Sequence, residues 1–451
     1  MSASSGPSVR LGAGAGFAGD RIDPAVELAT HGALDYLVFE CLGERTVAAG
    51  QARRRADPRT GFDPMLSARL RAVLPACRQH GTTIITNSGA ANPLAAGDLA
   101  VAVAADLGLH GLRVAVVTGD DVLDAVLAED PLVWETGAPV SSGPVPLSAN
   151  AYLGHEPITQ ALAEGADVVI TGRVADPSLY LAALRHEHGW GADDWEAMGT
   201  ATMVGHLLEC AGQLTGGYFA DPVTKPVPGM ARLGFPFADV TPDGAVLLGK
   251  LARSGGLLDR RTCREQLLYE VGDPAGYLTP DVVADFSGVR LLDVGPDRVS
   301  ASGATGRPRP DSLKVTLGHD GGWVGEGQIS YAGPRCLARA RLAGDIVLER
   351  LTDLHGLDPD DVGIELIGAG AAFRGLAVPA EDAQEVRLRV AARVGEEELA
   401  LLVGHEVESL YTNGPAGGGG ARSGATSQVS VRSCLLPRTL VTPQVEITEV
   451  P

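Results

Sequence analysis

Five short apolar segments, each followed by a helical pattern, constrain the fold of the first 190 residues more than any other feature. Runs of consecutive apolar and β-branched residues, rather than an alternation, are typical of strands covered on both faces of a parallel sheet. The helical stretches between them include LSARLRAVLPACRQHG and EPITQALAEGA. The pattern predicts βαβ units. The five segments are VRLGAG, DYLVFEC, TTIITN, RVAVVTGDD and DVVITGR.

We therefore predict an α/β fold for residues 1–300, with a mostly parallel sheet and helices on both faces. A β/α barrel is the alternative for this unit, because the sequence does not reveal strand order. The stretch GPDRVSASGATGRPRPDS, rich in Gly, Pro, Arg and Ser, marks the boundary.

Residues 301–451 are predicted to form a smaller α+β unit with antiparallel strands. SLKVTLGHDGGWVGEGQISYAG is interpreted as two strands around a Gly-Gly turn, and LARARLAGDIVLERLTDLHG as a helix. EVRLRVAARVGEEELALLVGHEVES is interpreted as two more strands around a Gly-Glu-Glu turn.

Composition argues against several classes of partner. The formal charge of -20 disfavours nucleic acid, and six cysteines without CxxC spacing argue against a disulfide framework and a thiolate metal site. No apolar stretch approaches the roughly 20 residues that span a bilayer, and the start MSASSGPSVR lacks an apolar leader. We expect a cytoplasmic protein with no membrane partner, and a homo-oligomer because most soluble oligomers are of that kind.

Polar residues at the ends of the strands are the main candidates for a site. Ligands bind at the carboxyl ends of parallel strands, so these residues are predicted to meet in one crevice, although each alone is typical of a cap or turn. Arg173 would position an anion, and the carboxylates are candidate acids and bases. The candidates are Asp20, Arg21, Glu40, Asn87, Asn92, Asp121, Asn150, Tyr152, Arg173 and Asp176, with Tyr269, Glu270, Asp273 and Tyr331 ranked second.

The glycine turn GAGAGFAGDR permits three interpretations. Gly14, Gly16 and Gly19 fit G-x-G-x-x-G, and Glu40 lies about where a ribose-binding acid belongs, so a dinucleotide site is one. However, the helix is predicted to begin at Asp20 or Asp23, after the last glycine, and an aspartate there opposes a phosphate. A plain tight turn and a turn that lines another ligand are the alternatives, and we favour the last.

A second glycine-rich segment, NGPAGGGGARS, lacks the lysine of a P-loop. It is either a surface loop or a set of backbone N–H groups that binds a carboxylate, phosphate or oxyanion. Asn413, Gly418, Gly419 and Arg422 would be the ligand-binding residues.

His206, Glu209 and Cys210 share one helix face by their spacing. A metal site is disfavoured because no further ligand cluster accompanies them, so no metal is predicted. A His206–Glu209 acid/base pair and a buried polar pair are the two main interpretations. Cys210 as a nucleophile lacks an electropositive surrounding.

The chain resembles the acyclic terpene utilisation family, a domain of unknown function, over roughly residues 8–448. The segments that carry the resemblance are GAGAGFAGDRIDPAVELA, LDYLVFECLGERT, TNSGAANP, SANAYLG, ADVVITGRVADPSL, VGHLLECAGQLTGGYFADP, LLYEVGDPAGYLTPDVVADFSGV and NGPAGGGG. The resemblance implies a branched carboxylic acid or acyl thioester as ligand. Longer relatives carry a small ferredoxin-like C-terminal domain that is missing here, and a separate subunit is a candidate supplier of it.

These observations lead to one hypothesis and two alternatives. The hypothesis is an enzyme of branched acyl or isoprenoid-acid metabolism that uses metal-free acid/base chemistry without a cofactor, as a lyase or a hydratase/dehydratase. His206 with Glu209, or a strand-end carboxylate among Asp20, Glu40 and Asp121, would move the proton. A non-catalytic acyl-binding or scaffold subunit and an NAD(P)-dependent oxidoreductase are the alternatives.

Overall fold

The computed structural model describes residues 7–373, 376 and 383–451. Residues 1–6, part of the segment predicted to lack a leader, lie outside the described residues. Two compact units are present: the first runs to His319 and includes Val431–Pro451, and the second is Asp320–Ser430. The first unit thus takes in residues beyond 300 and the last strand of the chain, which differs from the division that we made from the sequence.

Eleven α-helices lie in the described residues. Nine belong to the first unit and two to the second. Their bounds are α1 Asp23–His31, α2 Glu44–Ala56, α3 Leu66–His80, α4 Pro93–Asp106, α5 Leu123–Glu129, α6 Glu156–Ala163, α7 Asp176–His188, α8 Trp195–Leu208, α9 Arg260–Leu268, α10 Cys336–Glu349 and α11 Glu397–Asn413.

Eighteen strands accompany them in the described residues. They are β1 Val9–Ala15, β2 Tyr36–Phe39, β3 Thr83–Thr86, β4 Arg113–Thr118, β5 Ser148–Ala151, β6 Val168–Thr171, β7 Pro236–Val240, β8 Val246–Lys250, β9 Tyr277–Leu278, β10 Val283–Asp285, β11 Arg290–Gly295, β12 Arg298–Ser302, β13 Thr305–Arg307, β14 Ser312–Ala332, β15 Val362–Ile367, β16 Glu385–Val394, β17 Gly419–Pro437 and β18 Gln444–Glu449.

The main sheet of the first unit is open and mixed, in the order β11-β12-β8-β7-β1-β2-β3-β6-β4-β18. The five segments predicted as strands are its parallel centre, β1, β2, β3, β6 and β4. Every residue of β2 and β6 is buried, which explains why their sequences are apolar on consecutive positions. The α/β prediction is confirmed, and the barrel alternative is wrong, since the described strands form no closed barrel.

Half of this sheet is antiparallel, so "mostly parallel" describes only its centre. Strands β7, β8, β12 and β11 extend it on one side, and β18 pairs with β4 on the other. Strands β7, β8, β11 and β12 were not predicted from the sequence. Strand β18 lies more than 300 residues after its partner β4 in the sequence, and no local pattern predicts such a pairing.

The second unit contains an antiparallel sheet with two helices. Strand β16 lies between β15 and the later part of β14 and pairs antiparallel with both. Helices α10 and α11 share one apolar core with this sheet.

Two local predictions for this region are wrong. Residues 312–332 form the single strand β14 rather than a hairpin, because Val315–Gly318 pair with β5 whereas Trp323–Ala332 pair with β16. The segment after Glu396 is the helix α11, because its apolar positions recur at helical spacing and are buried: Ala400, Val403, Val407 and Leu410.

Candidate functional site

A cavity of about 1130 Å³ lies in the first unit, beside the carboxyl ends of β1, β2 and β6. This volume is at the upper limit of typical small-molecule pockets, about 300–1,000 Å³. Eight residues predicted for the site line it: Gly16, Asp20, Arg21, Glu40, Tyr152, Arg173, Asp176 and Glu209. Tyr269 and Glu270, ranked second in the sequence, line it as well.

Two glycines allow the elements around the cavity to approach each other. A Cβ on Gly205 of α8 would lie 2.6 Å from Pro177 of α7, and a Cβ on Gly16 would lie 2.5 Å from the backbone of Cys210. The end of β1, the start of α7 and the end of α8 are therefore in close contact. Glu209 follows α8 directly, so this packing brings it to the same cavity as Asp176.

Arg173, Lys314, Glu44 and Tyr152 form what we call the arginine–lysine group. The Glu44 carboxylate accepts hydrogen bonds from the Tyr152 hydroxyl (2.5 Å) and the Lys314 ammonium (2.9 Å). The Arg173 guanidinium lies 3.9 Å from the Tyr152 ring centroid, and Lys314 Nζ lies 4.8 Å from it. Burial raises the pKa of Glu44, but the Tyr152 hydrogen bond and both cations outweigh burial and hold that pKa at about 2. The group is charged and internally paired.

Arg173 is almost completely buried. Its Nη1 donates to the Leu42 carbonyl and to Asp176 (3.1 Å), and its Nε has no partner among the described residues. Burial lowers the pKa of Arg173, but the charges of Asp176, Tyr152 and Glu44 raise it by more. Among the described residues both side-chain hydrogen bonds of Arg173 use Nη1, and the residue lines the cavity.

Glu40 is a buried carboxyl on the cavity wall. Its Oε1 accepts hydrogen bonds from the Leu42 amide (2.7 Å) and from Asn87 Nδ2 (2.9 Å). Burial and the charge of Asp176 raise the pKa of Glu40 to about 8, even though both hydrogen bonds lower it. Glu40 therefore carries a proton at neutral pH.

Glu209 and His206 form a buried pair. His206 Nε2 faces the Leu267 carbonyl (3.2 Å), which can only accept, so this nitrogen holds a hydrogen. His206 Nδ1 lies 2.9 Å from Glu209 Oε1, so one further proton is shared between imidazole and carboxyl. Burial raises the pKa of Glu209 to about 7 despite His206. The pKa of His206 is raised as well, because Glu209 outweighs the burial that lowers it.

Asp176, Glu209, Glu270, Tyr218, Tyr269 and Tyr277 form what we call the acidic aromatic group. The Tyr218 and Tyr269 rings meet edge to face at 6.2 Å, and Tyr277 lies 5.2 Å from the His206 ring. Burial raises the pKa of Asp176, which Arg173 only partly offsets. Asp176 thus belongs to this group while it also bonds to Arg173.

Several predicted residues support the cavity from behind or lie elsewhere in the first unit. Asn87 is fully buried and fixes Glu40, and Gly14 packs against Phe39. Asn92 caps α4 and donates to the carbonyls of Pro58 and Thr60. None of these three lines the cavity.

Asp121 and its neighbour Asp120 have different surroundings. The side chain of Asp121 is half exposed, 3.8 Å from Arg54, and does not line the cavity. Asp120 is buried and accepts hydrogen bonds from the Arg173 amide (2.9 Å) and from Asn150 Nδ2 (2.9 Å). Burial raises the pKa of Asp120 to about 6 against these bonds. Asp120 therefore positions the backbone of Arg173, and Asn150 acts through it.

The glycine-rich loop belongs to the second unit. Asn413 ends α11 and donates to the Ser409 carbonyl (3.1 Å), whereas Gly418 packs beside Tyr331, the other second-ranked residue of this unit. Arg422 is exposed in β17, which begins at Gly419. None of the residues just named lines the cavity, and Asp273 of the first unit does not line it either.

The glycine turn differs from a dinucleotide fingerprint. Helix α1 begins at Asp23, after Gly19, and Asp20 accepts the hydrogen bond of the Gly16 amide (2.9 Å). The space that Gly16 leaves open is filled by the backbone of Cys210 rather than left for a pyrophosphate. The turn instead lines the cavity through Gly16, Phe17 and Asp20.

Among the described residues, His155, Glu156 and Asp281 have ligand atoms within 4.8 Å of one another. His155 Nε2, however, faces the Arg185 guanidinium at 2.8 Å, and Asp281 accepts from the His155 amide and from Ser178. Arg309 pairs with Glu156. The cluster is occupied by internal hydrogen bonds and cations, so it gives no support to a metal site.

Two charged residues that line the cavity, Glu44 and Lys314, were not among the residues predicted for the site. Lys314 lies beyond the predicted boundary and reaches the cavity through the β14–β5 pairing. Glu44 is at the start of α2. The polar end of β2 was a signal for Glu44, but nothing local pointed to Lys314.

In the part of the chain that the structure describes, no helix combines the length and apolar character needed to cross a membrane. Comparison with curated proteins and with solved structures gives no match. The family model described as acyclic terpene utilisation family protein AtuA matches residues 9–447. The match covers nearly the whole chain, and the protein therefore belongs to the acyclic terpene utilisation family.

Proposed function

We propose that this protein is an enzyme that transfers protons on a branched carboxylic acid or its acyl thioester, as a hydratase/dehydratase or lyase. The observation that carries the proposal is the spread of carboxyl pKa values around one cavity. Glu40, at about 8, and Glu209, at about 7, hold protons near neutral pH, whereas Glu44, at about 2, stays ionised. Such separation is the usual arrangement of acid/base catalysis.

Glu209 is the principal proton donor and acceptor in this proposal. A group whose pKa lies near the working pH can both give and take a proton. His206 holds the Glu209 carboxyl in place and shares its proton, and Glu209 Oε2 has no partner among the described residues. Glu209 lines the cavity, so a ligand bound there would meet its carboxyl group.

Glu40 supplies a second, protonated carboxyl. Its Oε1 is held by two hydrogen bonds, so the proton resides on Oε2. In the proposed reaction this group donates to a developing negative charge or to a leaving hydroxyl.

The arginine–lysine group would bind the acid or thioester oxygen. Arg173 is held by Asp176 and the Leu42 carbonyl. Its guanidinium would donate to a carboxylate or carbonyl oxygen, and Lys314 adds a second positive charge. Charge-assisted hydrogen bonds from arginine to carboxylate are strong and directional. The volume of about 1130 Å³ accommodates ligands larger than a free acid of ordinary size.

The experiment is a substrate panel of branched unsaturated and branched hydroxy acids, free and as thioesters, with product detection by mass spectrometry. We expect gain or loss of water, or cleavage, for at least one member. Glu209→Gln and Glu40→Gln should each lower the rate by about 10²- to 10⁴-fold, the usual worth of a positioned acid or base. Asp121→Asn is the matched control, since this aspartate lies outside the cavity.

Two outcomes would count against the proposal. Full turnover by Glu209→Gln would remove its proton-transfer role. Tight binding of a panel member with no turnover under any condition would support the non-catalytic acyl-binding alternative instead.

A further inference from the structure

The acidic aromatic group has properties that the proton-transfer role of Glu209 alone does not explain. Among the described residues, no lysine or arginine forms an ion pair with Glu209 or Glu270. Glu209 is 8% exposed and its Oε2 has no partner. Glu209 and Glu270 therefore lie on one wall of the cavity without an ion pair to a described lysine or arginine, whereas Asp176 of the same group bonds to Arg173.

Aromatic rings surround these carboxyls. Tyr218, Tyr269 and Tyr277 line the same cavity, and the Tyr218 side chain is 87% exposed. A ring so exposed gains little from packing within the protein. Its face is instead free for a ligand, and the face of an aromatic ring attracts positive charge.

Tyr218 and Glu270 are also strained. Their φ angles are 60° and 59°, in the left-handed region that favours glycine. A non-glycine residue held there costs about 1–3 kcal/mol, and such residues are concentrated at functional sites. Both residues belong to the acidic aromatic group, so the same wall of the cavity contains two strained backbone positions.

We propose that the acidic aromatic group binds a positively charged branched centre, and that in the reaction this centre is a tertiary carbocation. The inference rests on the proposed function for the reaction, but the binding preference stands on the three tyrosine rings and on the Glu209 and Glu270 carboxyl groups that line the same wall. Tyrosine faces and carboxylates both attract a positive charge.

The proposed reaction step is the addition of water to a branched double bond. The Glu209 O–H bond breaks and its proton bonds to the less substituted carbon through the π electron pair, which leaves the positive charge on the branched carbon. The lone pair of a water oxygen then bonds to that carbon. One proton of this water returns to the Glu209 carboxylate, so one water is added and the carboxyl is restored; dehydration is the reverse.

The test is a binding measurement that needs no turnover. An alkyltrimethylammonium ion is compared by calorimetry with its neutral isostere, in which a carbon replaces the nitrogen. We expect the ammonium ion to bind at least about 10-fold more tightly, since each ring face contributes about 0.5–2 kcal/mol, or about 2- to 30-fold.

Variants of the lining residues show which side chains cause the preference for the ammonium ion over its neutral isostere. Tyr269→Leu and Glu209→Gln should weaken ammonium binding by about fivefold or more and change isostere binding little, whereas Tyr269→Phe should keep the preference because the ring remains. Tyr411→Leu, which removes an exposed tyrosine of the second unit, is the control and should change neither.

Equal binding of the ammonium ion and its isostere would overturn the inference, as would variants that weaken both ligands alike. The proposed function and the charge-binding inference can fail independently of each other. An ammonium preference without any turnover in the substrate panel would leave the charge-binding group intact and remove the reaction, whereas turnover without the preference would do the opposite.

Discussion

The two polar groups of the cavity differ in how completely their charges are paired. In the arginine–lysine group, Glu44 is bonded to Tyr152 and Lys314, and Arg173 is bonded to Asp176 and a carbonyl. In the acidic aromatic group, Glu209 and Glu270 form no ion pair with lysine or arginine in the described part of the chain, and the Tyr218 ring is open to solvent at a strained backbone position. The first group therefore contributes to stability as well as to binding, whereas the second is maintained at a cost to stability.

Arg173→Met gives the largest expected effect on stability. It leaves Asp176 without its cation, and breaking a buried ion pair from one side costs about 3–5 kcal/mol. Urea unfolding measures the loss. Arg45→Met, which removes an exposed arginine of the same cavity, is the control and should lie within about 0.5 kcal/mol of the parent. If the two variants were equally stable, the structural role of the arginine–lysine group would be wrong.

Glu40→Gln is expected to change how stability depends on pH. The pKa of Glu40 is about 8 in the folded chain and 4.5 for an ordinary glutamate, so the folded state holds a proton that the unfolded state has released. Stability of the parent should therefore fall as pH rises from 5 to 8, and glutamine, which mimics the protonated carboxyl, should remove this fall. At about 1.4 kcal/mol per pKa unit, we expect the variant to gain about 3 kcal/mol relative to the parent over this range.

Urea unfolding of both proteins at pH 5, 6, 7 and 8 gives the comparison. A parent and variant whose stabilities stay parallel across this range would show that Glu40 ionises normally. Glu40 would then lose its place as a proton donor.

Tyr218→Gly is expected to give the smallest effect on stability, and this effect is a gain rather than a loss. Glycine adopts a φ of 60° without strain, so we expect a gain of up to about 1 kcal/mol, seen as a higher melting temperature, together with weaker ammonium binding. Tyr218→Ala removes the same ring but keeps the strain, so it should weaken binding equally without the gain. Identical melting temperatures for the two variants would argue against strain at this position.

The sequence predicted those parts of the fold and site that depend on local pattern. Consecutive apolar residues identified the five parallel strands, and Glu40, Arg173 and Asp176, selected at the polar ends of these strands, line one cavity. Parallel strands end at the same edge of a sheet, so here local pattern is sufficient to predict proximity.

Residues brought together by distant pairing could not be predicted in this way. Lys314 reaches Glu44 because β14 pairs with β5, more than 160 residues earlier in the sequence. Asp120 and Asp121 are adjacent in the sequence but differ in burial. Asp120 is buried and accepts a hydrogen bond from the Arg173 amide, whereas the side chain of Asp121 is half exposed. Which of the two side chains is buried depends on the exact residue at which the strand ends, and sequence patterns locate that residue only to within a few positions.

A crystal structure with a bound branched unsaturated carboxylic acid would locate each of these groups relative to a ligand. We expect the carboxylate to accept a hydrogen bond from Arg173, the branched carbon of the double bond to lie within about 6 Å of the Tyr269 or Tyr277 ring, and the Glu209 carboxyl to face that double bond. A ligand bound outside this cavity, or one with its carboxylate among the tyrosines and its double bond against Arg173, would contradict this expectation.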